Sequence, residues 1–262
     1  MAGVHVRCHM AVHGLWRGWT MRWWPVTAMM ILTVPAPASA QRAAAAAERA
    51  PAYTFSYAYP AAAARIAPLR RWLDTDRARF RAEVAKDAEA DRRERRAGDV
   101  PFHAHEGTRT WKVVTETPRL LSLSGETYRF TGGAHGGTTL QPLLWDRKRA
   151  RRVDPRALFV SPDALQRVWG ATWCARLKAE RMRRLGGDAP GDDIFPCPPI
   201  SELTLLLGST NRDAIDRIGL IAGQYVAGSY AEGMYEVTLP VTPELLRVVR
   251  PEWRGVFAVG GR

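Results

Sequence analysis

The sequence predicts an α+β protein, with antiparallel sheet, packed helices and one disulfide. Three observations carry that prediction. Segments with the two-residue alternation of a half-buried strand, such as 53–59 and Tyr235–Pro240, recur with short connections between them, which favours antiparallel pairing. Two longer segments, starting at Pro68 and Pro162, switch to the three-and-four spacing of an amphipathic helix. Cys174 and Cys197 form an even pair once a leader containing Cys8 is set aside, and in an exported chain such a pair reads as a disulfide.

The elements follow in order. Residues 41–52 are an alanine-rich, low-complexity linker. Residues 53–59 alternate aromatic with small side chains, and Pro60 ends that strand. From Pro68, Leu69, Trp72, Leu73, Phe80, Val84 and Ala88 make one helical face, and Gly98 is the stop. Strand signals resume at 110–117, and Pro118 breaks the run. Residues 120–130 carry two strand signals around Ser124 and Gly125, and 138–145 gives another. Residues 146–153 read as a turn into a short strand, and 154–159 as a helical turn. Ser161 and Pro162 start a helix: a hydroxyl cap, then proline where no amide hydrogen is needed. Leu165, Trp169, Trp173 and Leu177 line its apolar side, and it ends near Gly186. The proline-rich stretch 188–199 is a loop, which the disulfide would tie to the helix, stabilising the fold by roughly 3 kcal/mol. Strands at 202–207, 215–222 and Tyr235–Pro240 and a last helix from Thr242 to Val249 complete the chain.

Composition bounds the function. The chain has 262 residues, 46% of them hydrophobic and 24% charged, enough for one large domain or two small ones. The net charge of +12 comes from arginine; Lys86, Lys112, Lys148 and Lys178 are the only lysines among 38 basic residues. The arginines are spread along the chain and mixed with acids, as in 87–96, which is not the clustered stripe of a nucleic-acid binder. Attraction to an anionic partner, a membrane surface or a cell-wall polymer, stays open. Residues 1–40 have no acid, and after Met21 they run through Arg22, an apolar stretch of about a dozen residues and an Ala-Ser-Ala end. That is the pattern of a signal peptide starting at Met21, and a retained anchor is the alternative. The protein is expected to be periplasmic or secreted, with no membrane span after cleavage. Losing Arg7, Arg17 and Arg22 with the leader leaves 35 basic and 26 acidic residues, so the mature charge is +9.

The candidate chemistry lies in Thr131-Gly132-Gly133-Ala134-His135-Gly136-Gly137. Glycines allow a sharp reversal between two strands. No helix start and no Gly-Lys-Ser/Thr follow, so this is not a phosphate cradle. No serine lies between the glycines, so it is not a nucleophile elbow. His135 can pin the loop through its backbone, touch a ligand, or act as an acid–base with a second group. His103 and His105 would share one strand face and are weak metal candidates with His135; no cofactor is expected. Tyr225, Tyr230 and Tyr235 recur around Gly228 and Gly233, either to pack a hairpin or to form an aromatic platform with Glu232 as polar contact.

These motifs resemble a known family. Thr131-Gly132-Gly133-Ala134-His135, then Asp146 leading to Leu158-Phe159, then Tyr225 to Pro240 with Gly228, Tyr230, Glu232 and Tyr235, are similar in order to the extracytoplasmic domains of the anti-sigma factor RsiV and the peptidoglycan deacetylase PdaC. The resemblance covers about residues 53–257. It implies a PdaC-like half over 53–137 and an RsiV-like half over 138–258, packed as one unit. It also implies helices on antiparallel sheet, and a binding or sensing role without the separate catalytic domain of the deacetylase. The ligand would be a wall glycan or a lysozyme-like protein, met by His135, Gly132, Gly133, Tyr230 and Glu232. The alternatives are a wall-glycan hydrolase or deacetylase using His135 with Glu232 or Asp146, and a structural envelope protein without ligand.

Overall fold

The computed structural model describes residues 42–186 and 194–261. The expected leader, with Met21, and the first part of the loop at 188–199 lie outside them. Strands β1 (Arg42–Arg49), β2 (Tyr53–Pro60), β3 (His105–Glu116), β4 (Leu120–Phe130), β5 (Gly137–Asp146) and β6 (Arg151–Val153) stand side by side in that order. A second sheet holds β7 (Thr204–Gly208), β8 (Arg217–Ala222) and β9 (Tyr235–Pro240). Every named pairing is antiparallel except that of β2 with β3. Parallel neighbours need a long crossover, here the short α1 (Ala61–Ala64) and the 31-residue α2 (Ala67–Ala97).

Alternation along the strands creates two cores, one on each face of the first sheet. On one face Phe55, Tyr57, Trp111, Leu121, Leu123, Leu143 and Trp145 meet Leu69, Leu73, Phe80 and Val84 of α2. On the other, Leu120 and Leu144 join a core shared with β7, β8, β9 and α3 (Pro162–Leu185), where Trp169, Trp173 and Leu177 are buried. Ser161 caps α3 by accepting a hydrogen bond from the Ala164 amide, as its sequence predicts. Cys174 is bonded to Cys197, closing a 23-residue separation, and Trp173 Nε1–H donates to the Pro198 carbonyl at 3.0 Å beside it. The last helix, α4 (Pro243–Val248), starts under a Thr242 cap. No helix of the described residues is long and apolar enough to cross a membrane.

Three expectations change. The alanine-rich stretch 41–52 is not a linker: it supplies β1, paired with β2 over seven partner pairs. Alanine has little intrinsic strand preference, and tertiary pairing overrides it. Glu48 anchors the strand, accepting from the Tyr53 hydroxyl at 2.5 Å and pairing with Arg81 of α2. Residues 120–130 are one strand, not two, because Gly125 lies mid-strand under the Trp111 ring, 2.7 Å from where a Cβ would stand. The first sheet also runs past the expected division at 137/138, since β5 and β6 complete it.

Candidate functional site

The loop between β4 and β5 carries the glycines. Gly132 takes φ +81°, a left-handed conformation that glycine adopts without strain. A side chain at Gly136 would collide with the Tyr128 ring, which lies 2.3 Å from the ideal Cβ position. Gly133 is open. With the backbone so turned, His135 Nδ1–H donates to the Gly136 carbonyl at 3.0 Å, which is the backbone pinning that the sequence allows.

The partner of this loop comes from the connection between β8 and β9, some 90 residues on. The Tyr230 ring stacks on His135 with centroids 3.8 Å apart and planes 23° apart, and its hydroxyl donates to the Gly136 carbonyl at 2.9 Å. Tyr225 lies beside them, its centroid 5.8 Å from that of Tyr230 and its hydroxyl 3.4 Å from His135 Nε2. Gln224 accepts the Thr138 amide at 2.7 Å. Tyr225 is 59% exposed and holds φ at +65°, a strained value for a bulky residue. The cluster is thus a clamped loop with an aromatic stack open to solvent.

The other expected contacts sort differently. Glu232 does not present a free carboxylate. It accepts from the Ser229 amide at 2.7 Å and the Tyr235 hydroxyl at 2.6 Å, closing a capping box on the turn Tyr230–Glu232. Burial pushes its carboxyl up, but the Tyr235 hydroxyl and the Ser229 groups outweigh that and hold it below the usual range. Tyr235 is correspondingly pushed up to about 12, by burial first and Glu232 second. Residues 225–235 therefore form a connection with a 3₁₀ turn rather than a tight hairpin. His103 is exposed and precedes β3, whereas His105 is buried, its Nε2–H donating to Asp91 at 3.2 Å and its ring stacked on Phe102. The two do not share a strand face, and among the described residues no group of three His, Cys, Asp or Glu side chains is placed for a metal. Asp146 ends β5, roughly 30 Å along the strand from the glycine loop at about 3.3 Å per residue. It is fully buried and held by Arg119 at 2.6 and 3.0 Å. The contacts of His135 are thus a carbonyl and two tyrosines, with neither Glu232 nor Asp146 on its nitrogens.

The comparisons agree with this architecture. Residues 47–138 match the family model described as Deacetylase PdaC. Among solved structures, the chain is similar to a DUF3298 family protein from Pseudomonas aeruginosa PAO1, with 18% identity, 85% of this chain and 96% of that one covered, and a TM-score of 0.54. A DUF3298 family member from Bacteroides fragilis NCTC 9343 has 17% identity, 75% and 88% coverage and a TM-score of 0.48. A search of the curated proteins finds no match. The first likeness shows a common fold, and the family match takes in the glycine loop while leaving Tyr225 and Tyr230 outside it. Over residues 47–138 the chain is thus similar to the PdaC-like domain family.

Proposed function

We propose that this is an exported, non-catalytic binding protein of the cell envelope, and that its ligand is a wall glycan held on the platform of His135, Tyr230 and Tyr225. Tyr225 carries the reading. A large aromatic side chain is left 59% exposed on a backbone at φ +65°, a conformation that costs of order 1–3 kcal/mol and tends to persist at ligand sites. Tyrosine rings offer an apolar face to a sugar ring and a hydroxyl to its polar rim. The disulfide supports an oxidising compartment, and the excess of arginine suits a polymer with anionic groups. A hydrolase or deacetylase would need an acid–base partner on His135, and its hydrogen-bonding contacts are a carbonyl and a tyrosine hydroxyl.

The test is cosedimentation of the purified protein with insoluble wall glycan. Tyr225→Ala is expected to weaken capture roughly tenfold, equivalent to about 1.4 kcal/mol, and His135→Ala to weaken it with no loss of folding. Undiminished capture by both variants, or capture of a lysozyme-like protein in place of glycan, would sink the proposal.

A further inference from the structure

The strand face beneath the glycine loop does not end at the platform. Side chains alternate along a strand, so Tyr128, Glu126 and Ser124 share one face of β4, opposite Thr138, Leu140 and Pro142 of β5. The Tyr128 ring sits against Gly136 and marks the platform end of this row. At the other end opens a cavity of about 520 Å³, walled by Ser124, Glu126 and Leu140 of the first sheet, by Met234 just before β9, and by Glu236 of β9. Met234 and Glu236 follow Tyr230 in the chain, and Leu140 follows Gly136. Both walls therefore prolong the two segments that build the platform. From Tyr128 to Ser124 is roughly 13 Å at about 3.3 Å per residue, longer than one pyranose ring, and the volume is that of an ordinary ligand site.

We infer that platform and cavity form one elongated groove, built for an oligosaccharide rather than a single sugar. The inference rests on the platform reading and extends it. One ring lies against Tyr225 and Tyr230, and the following rings run over Leu140 and Met234, whose apolar surfaces suit the faces of sugar rings. Glu126 and Glu236 accept hydrogen bonds from sugar hydroxyl or amide groups. The Glu126 side chain is 47% exposed and its ion pair with Lys112 is 4.0 Å long, so its oxygens are open to such donors.

The experiment is calorimetric titration of the full chain with N-acetylglucosamine, its dimer and its tetramer. The tetramer is expected to bind roughly tenfold or more tightly than the single sugar. Glu126→Gln combined with Glu236→Gln should reduce that advantage below about threefold, and Leu140→Trp, which fills the cavity, should do the same while thermal unfolding stays cooperative. Tyr225→Ala should weaken every length alike. Equal affinity for one sugar and four, or an advantage that survives the groove substitutions, would overturn the groove and leave the platform standing. Absence of binding at every length would overturn both.

Discussion

Tyr225 and Glu232 lie seven positions apart and are held in opposite ways: one is displayed at a strained angle, the other tied down on both oxygens. Relieving the strain should separate stability from function. Tyr225→Gly is expected to leave stability unchanged or raise it by up to about 1 kcal/mol in thermal denaturation, while glycan capture falls. For Glu232 the sign follows from its depressed carboxyl. The folded chain stays ionised to a lower pH than the unfolded chain, so the unfolded state binds more protons as pH falls through the carboxylate range. Its contribution is present at neutral pH and lost on acidification through the folded value. Urea unfolding between pH 7 and pH 3 should show a shallower loss for Glu232→Gln than for the native chain, with about 1 kcal/mol lost at neutral pH. The sequence marks His135 well, because four glycines surround it. It does not mark Gln224 or the pairing of Tyr225 with His135, since contacts across some 90 residues have no local signature.

At the level of elements, helix α2 and strand β3 approach closely where Gly107 lacks a side chain. A Cβ there would stand 2.4 Å from Val84 Cγ2, so Gly107→Ala is expected to cost about 1–3 kcal/mol by overpacking, measurable by chemical denaturation. The β5 turn rests on Asp146. Burial alone would raise its carboxyl, but Arg119 and the amides of Arg149 and Lys148 hold it below the usual range. Arg119→Ala leaves that carboxylate buried with less compensation and should cost about 3 kcal/mol. Both α2 and α3 are legible as helices from period alone, and β9 from its strict alternation. The strand β1 is not, since a run of alanine has no period. Gly125 misleads for a different reason: it looks like a break, and the ring that lies over it belongs to Trp111, fourteen positions away.

In the molecule as a whole, β4 and β5 feed both cores: Leu121, Leu123, Leu143 and Trp145 enter one, and Leu120 and Leu144 the other. Leu144→Ala is expected to cost about 2–5 kcal/mol and to move a single transition seen by tryptophans on both sides, Trp111 and Trp173 among them. Separate melting of the two sides would contradict that sharing. Reducing the disulfide between Cys174 and Cys197 should remove about 3 kcal/mol and lower Tm by several degrees in calorimetry. The interleaving also bears on how the protein can be dissected. The family match stops at residue 138, only one position beyond the first residue of β5. An excised piece ending there would forfeit Leu143 and Trp145 and bare the flank of β4 from Leu120 to Thr127. Such a flank is a template for self-association, so the smallest fragment worth isolating reaches at least Val153.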